Sequence, residues 1–113
     1  MEEDILLLIR AIVRPEKKDE VLAALSKSGF PAATVVDVVG RGKQKGIRMG
    51  GILYDEIPKI LIMIAIHDEE RESIIDLILK TARTGEDGTF GDGKIFITPL
   101  DEVYTISRGG RGL

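Results

Sequence analysis

Residues Ile60–Ile66 read Ile-Leu-Ile-Met-Ile-Ala-Ile, an apolar run with no polar interruption. It is far too short to cross a bilayer as a helix, which takes about 20 residues. Its isoleucine content and its length fit a strand. A sheet with one covered face alternates apolar and polar side chains, because successive residues point to opposite faces. This strand does not alternate, so both of its faces seek cover. One layer of helices covers only one face. The other face then packs on another subunit, or it remains as a locally exposed apolar patch.

The rest of the chain supplies the helices and the other strands. Ile5–Val13 is rich in isoleucine and leucine and reads as a strand stopped by Pro15. Glu16–Ser28 follows as a helix, with Val21, Leu22 and Leu25 at helical spacing and Gly29 placed to end it. Thr34–Val39 is β-branched and reads as a second strand. From Ile47 to Ile57 no period is evident, and Gly50-Gly51 argues against a regular element, so a mobile loop is expected between two strands of a long hairpin. After Ile60–Ile66, Asp68-Glu69-Glu70 places acids at the positive end of a helix. Ile74, Ile75, Ile78 and Ala82 form its apolar stripe, and it ends before Gly85. A glycine–aspartate loop spans Gly85–Gly93, Lys94–Ile106 reads as the last strand, and residues 108–113 form a short basic tail expected to be mobile. The order β-α-β-β-α-β, with two halves that echo each other, is the split βαβ or ferredoxin-like arrangement. It predicts an α+β fold in one domain over residues 1–113: a four-stranded antiparallel sheet with two helices on one face.

Composition narrows the function. The chain has 113 residues, a formal net charge of −3, no cysteine and 4% aromatic residues. The acidic balance disfavours a nucleic-acid binder, and the scarcity of aromatics removes base-stacking platforms. The lack of cysteine excludes disulfides, thiolate metal sites and cysteine nucleophiles, and it fits a reducing cytoplasm. An acidic N-terminus followed by an apolar run that stops at Arg10 is not a signal peptide, and no membrane insertion is expected.

Against this acidic average, cations gather in glycine-rich segments. Gly40-Arg-Gly-Lys-Gln-Lys-Gly46 combines three glycines with three cations. Glycine lets the backbone approach a ligand and turn its N–H groups inward, and the cations favour an anion. A solvated basic turn is the other reading of this segment. Gly88-Thr-Phe-Gly-Asp-Gly-Lys94 matches the start of a phosphate loop, but Ile95 stands where such loops carry Ser or Thr. Here a helix precedes and a strand follows, the reverse of the order such loops require, so that assignment fails. The capacity of backbone N–H groups beside a lysine to cradle phosphate survives. A calcium loop through Asp87 and Asp92 fails on spacing and on the missing bidentate Glu. His67, the single histidine, lies at a strand end without sequence partners and reads as structural rather than as a general base. No catalytic constellation emerges.

With these loops in place, the sequence resembles the PII signal-transduction proteins (the GlnB/GlnK family) over nearly its whole length. The carriers are Ile12-Val13-Arg14-Pro15, the Gly40–Gly46 segment, Pro58-Lys59, Thr81-Ala82-Arg83-Thr84-Gly85 and Gly91-Asp-Gly-Lys-Ile-Phe96. The resemblance implies a homotrimer that binds ATP or ADP with Mg2+ in clefts between subunits, and 2-oxoglutarate as effector. It implies a T-loop over residues 43–57 that docks on enzymes or transporters of nitrogen metabolism, and a phosphate loop over residues 85–94. By position, Thr34 is implied to contact adenine, Gly40, Gly42 and Lys43 to border the nucleotide, and Gly91, Asp92, Gly93 and Lys94 to hold phosphates. Gln44 is implied to bind Mg2+ and 2-oxoglutarate. The backbone at Gly42 and Gly46, with Lys59, is implied to hold the 2-oxoglutarate carboxylates.

The sequence departs from the family pattern in several places. The T-loop is short, and Ile52 stands where enteric members carry a modified tyrosine, with Tyr54 off-register. Asp87–Thr89 is an insertion before the phosphate loop. Thr105 and Ser107 occupy the places of two phosphate-binding arginines, which leaves Arg108 as the nearest cation and the residue expected to bind the nucleotide there. The short T-loop, Gly42-Lys-Gln-Lys-Gly46 and the Gly-Gly-Arg-Gly tail resemble PII-like regulators of nitrogen-fixation gene clusters in archaea and some anaerobic bacteria, first members of a pair. That resemblance implies a non-enzymatic sensor acting on nitrogenase, with a possible paralogous partner chain. An ammonium-transporter regulator of the GlnK type, a small ferredoxin-like ATP-using enzyme and a ligand-free structural oligomer are the alternatives.

Overall fold

In the computed structural model the described residues are 5–41, 47–49, 52–54 and 56–113. Strand β1 (Leu6–Val13) leads through a 3-10 turn at Pro15–Lys17 into helix α1 (Lys18–Lys27), then β2 (Thr34–Gly40). Short strands β3 (Ile47–Met49) and β4 (Ile52–Tyr54) precede the long β5 (Ile57–His67). A second 3-10 turn, Asp68–Glu70, opens α2 (Arg71–Ala82), and β6 (Gly93–Leu100), β7 (Tyr104–Thr105) and β8 (Gly110–Arg111) complete the chain. The main sheet has the order β2-β5-β1-β6 and is antiparallel throughout. The fold is ferredoxin-like, as the element order predicts.

The apolar run forms most of β5, next to β1 at the centre of the sheet. Its alternate residues Ile60, Ile62, Ile64 and Ile66 are buried with Leu7, Ile9, Ala11 and Val13 of β1. Val21 and Leu25 of α1 and Ile74, Ile78 and Ala82 of α2 close this core from the helical side. Each large aliphatic side chain so buried contributes about 1.5–3 kcal/mol. The opposite face carries Leu61, Met63 and Ala65 of β5 beside Leu8, Arg10 and Ile12 of β1, all half-buried and, Arg10 apart, apolar. The sheet is therefore largely apolar on both sides at its centre and covered by helices on one.

Local chemistry explains the element ends. Pro15 takes the first turn, where its missing N–H costs nothing. Gly29 ends α1 with φ +96°. His67 precedes the turn into α2, and its backbone N–H donates to Glu70 Oε1 at 2.9 Å, a structural role for the single histidine. Pro58 sits where β5 is flanked by β2 but no longer by β1, so its missing donor breaks no bond to β1.

Three expectations are corrected. The segment from Ile47 to Ile57 contains regular structure, since β3 and β4 pair with Ile47 opposite Tyr54. Aliphatic residues on both sides of the glycine pair favour this pairing over an irregular loop. The last strand stops at Leu100 instead of running to Ile106, because Pro99 removes a ladder donor and β1 begins only at Leu6, opposite Leu100. The tail is paired: β7 and β8 form a hairpin, Gly112 N–H donates to Val103 O, and Thr105 Oγ1 donates to Gly112 O.

Candidate functional site

Three stretches distant in sequence meet at one corner of the sheet: the end of β2, the start of β5 and the loop between α2 and β6. Lys59 is the second residue after Ile57 in β5 and is only 9% exposed. Its Nζ donates to the carbonyl oxygen of Gly91. The lysine stem lies against β2 at Gly40, where an added Cβ would stand 3.3 Å from Lys59 Cγ. Gly40 thus leaves the space the stem occupies. Burial pushes the Lys59 ammonium below its ordinary pKa and Arg14 acts the same way, while Glu16 and Asp92 oppose the shift.

Asp92 organises the loop. Its Oδ2 accepts N–H hydrogen bonds from Thr84 at 3.0 Å and Thr89 at 2.8 Å. Its Oδ1 pairs with Arg14 Nε at 2.9 Å. Burial alone would raise the carboxyl pKa, but the two backbone donors and Arg14 hold it well below the ordinary carboxylate range. Arg14 also reaches Phe90 O through Nη2 at 2.8 Å. At Gly93 the loop runs into β6 with φ +117°, and a Cβ there would lie 1.7 Å from Ile12 O. No residue but glycine permits that approach.

The structure brings Gly40, Lys59, Gly91, Asp92 and Gly93 together from the sequence-predicted set. Lys94 follows on β6 opposite Ile12 and lines a cleft of about 940 Å³ between α2 and β6, with Leu79, Ala82, Phe90 and Ile97. Thr34 lies apart, at the far end of β2 opposite Met63, roughly 20 Å from Gly40 at strand rise. Arg108 donates to Arg111 O at 2.9 Å within its own hairpin. Gly42, Lys43, Gln44 and Gly46 lie outside the described residues. Among the described residues no group of carboxylates and histidine is arranged to hold a metal ion. Within Ile12-Val13-Arg14-Pro15 nothing in the sequence marks a role for Arg14. No local signal links it to Asp92, 78 residues away.

The comparisons agree with this architecture. Residues 6–110 match the family model described as nitrogen regulatory protein P-II. The chain is 53% identical over 106 residues to the nitrogen fixation nifHD region glnB-like protein 1 of Methanococcus maripaludis, covering 94% of this chain and 98% of that protein. It is 52% identical, with the same coverage, to the nifHD region GlnB-like protein 1 of Methanobacterium ivanovii. The crystal structure of Arabidopsis thaliana PII bound to citrate superposes with a TM-score of 0.77 at 34% identity, covering 97% of this chain and 88% of that one. With the family match spanning most of its length, the chain belongs to the nitrogen regulatory protein P-II family.

Proposed function

We propose that this protein is a non-enzymatic sensor of nitrogen status that binds ATP or ADP and 2-oxoglutarate and acts through the loop over residues 43–57. The observation that carries the reading is the bond from Lys59 to Gly91 O. It ties the base of that loop to the glycine loop, so a ligand that engages either one has a mechanical route to the other. A ligand shifts the loop only by its differential affinity for two loop states, and this bond is one place where such a difference can arise.

The corner fits an anionic nucleotide. The carboxylate of Asp92 is neutralised by Arg14 from beyond the loop and by two N–H groups within it, so it does not repel phosphate. Lys94 stands at the exit of the loop as a cation for the outer phosphates. Asp92 therefore serves by shaping the loop, and Gly91, Gly93 and Lys94 face the ligand. Thr34 lies too far from this corner to share a nucleotide with it in one chain. That separation supports a site completed by a neighbouring subunit, in a trimer that also covers the apolar sheet face. Gln44 is assigned by position to the magnesium and the keto acid, and Lys59 to the distal carboxylate of 2-oxoglutarate.

The nifHD-region names of the relatives support nitrogenase as the target. Calorimetry with magnesium-ATP, with and without 2-oxoglutarate, tests the ligands. Gln44→Ala is expected to abolish 2-oxoglutarate binding and keep most of the ATP affinity, and wild-type keto-acid affinity in that variant would overturn the assignment. Affinity capture from nitrogen-starved cells tests the target. Nitrogenase retained, and released by ATP with 2-oxoglutarate, is the expected result; an ammonium transporter in its place would overturn the nitrogenase half.

A further inference from the structure

Two cations clamp two successive carbonyls of the glycine loop. Arg14 Nη2 donates to Phe90 O, and Lys59 Nζ donates to Gly91 O. Both cations come from outside the loop, one just past the end of β1 and one near the start of β5. Across a trans peptide each carbonyl points opposite to the N–H that follows it. With Phe90 O turned toward Arg14, the Gly91 N–H points away from the sheet corner. Asp92 N–H is taken by Thr89 O at 3.1 Å, but among the described residues the Gly91 N–H has no hydrogen-bond partner. The loop therefore presents a backbone donor outward while its oxygens are held inward. A guanidinium suits this double contact, since its rigid planar fork holds one donor on Asp92 Oδ1 through Nε and another on Phe90 O through Nη2 at once, a fixed spacing that the single nitrogen of an ammonium lacks.

We infer that Arg14 is the positioning residue of the phosphate site, orienting the loop so that the Gly91 N–H faces the bound anion. Arg14 touches no ligand in this role. It acts through Asp92, which fixes the loop path by way of Thr84 and Thr89, and through the Phe90 carbonyl, which fixes the peptide plane. Arg14 supplies to a separate segment of the same chain what a helix N-terminus supplies in other phosphate sites, a donor held in advance of binding.

The inference rests on the nucleotide-sensor reading, and the test separates the two. Binding of ATP and of adenosine is measured for the full-length wild type, Arg14→Lys and Arg14→Ala, by calorimetry and by amide resonance titration. ATP affinity is expected to fall on the order of tenfold to a hundredfold in Arg14→Ala, the usual scale for one charge-assisted contact. Arg14→Lys is expected to recover part of that loss. Adenosine affinity is expected to stay within about twofold, because only phosphate recognition is disturbed; a general loss of structure would weaken both ligands alike. If Arg14→Ala does not fold, Arg14→Lys and Arg14→Gln carry the comparison. Equal ATP affinity in the folded variants and the wild type, or parallel losses of ATP and adenosine, would overturn the role of Arg14 alone. Failure of the wild type itself to bind ATP would overturn the sensor reading, and the phosphate role of Arg14 with it.

Discussion

Lys59 and Gly91 are 32 residues apart in sequence and share a hydrogen bond that joins the start of β5 to the glycine loop. The donor is a desolvated ammonium, and the acceptor is a neutral carbonyl. Such a pairing offsets burial of the charge only in part, since a hydrogen bond to a charged group contributes about 1.5–3 kcal/mol while an imperfectly paired buried ion costs a comparable amount. Lys59→Met keeps the stem that fills the space at Gly40 and removes the charge. It is expected to leave stability within about 1 kcal/mol of the wild type, read by denaturant titration, and to lose 2-oxoglutarate binding in calorimetry. A variant that still bound the keto acid with wild-type affinity would remove Lys59 from the effector site.

Met63 and Ile64 are adjacent in β5 and point to opposite faces. Ile64 is 6% exposed beneath the helices, while Met63 is half-buried on the open face opposite Arg10. Met63→Asp is expected to fold with native circular dichroism and to dissociate into monomers in light scattering. Ile64→Asp buries an unpaired carboxylate and is expected to cost about 4 kcal/mol or more, enough to threaten the fold itself. An intact oligomer in Met63→Asp would show that the open face is not the interface.

Two glycines with positive φ differ in what surrounds them. A Cβ at Gly93 meets Ile12 O, whereas one at Gly85 meets nothing within 4 Å. Gly93→Ala is expected to lose at least about 2 kcal/mol through collision and backbone strain. Gly85→Ala is expected to lose about 1 kcal/mol, from the left-handed conformation alone. Thermal melts of the two variants side by side test the ranking, and equal losses would contradict the close packing of the loop on β1.

Asp92 makes stability depend on acid. Its folded carboxyl is held below the ordinary value of 3.8. A depressed carboxyl contributes stability that is present above the unfolded pKa and is lost as pH falls through the folded one. The wild type is therefore expected to lose this contribution progressively as pH drops below about 3.8, the unfolded reference. Asp92→Asn is expected to be less stable at neutral pH and to show a flatter acid limb. Urea midpoints measured from pH 6 down to pH 3 check this, and parallel curves for the two proteins would contradict it.

Much of this molecule was legible in its residues. The apolar run Ile60–Ile66, the stripe Ile74, Ile78 and Ala82, and Gly29 beyond the first helix are local signals, set by side-chain period and backbone freedom. They determined the element order and, with it, the ferredoxin-like sheet. The family followed from short motifs whose spacing is likewise local. What the residues alone did not decide were relations across the chain. Period and composition left Met63 and Ile64 equivalent, because an unbroken apolar run has no phase; only pairing with β1 and β2 assigned each to a face. Pairing also converted the basic tail into a hairpin and ended β6 at Leu100, since ladder bonds need a partner strand that no single segment contains. The same holds for Arg14, Lys59 and Asp92. Each is an ordinary charged residue in its own neighbourhood, and a hydrogen bond between residues 78 or 32 positions apart exists only once the sheet has brought their backbones to one corner.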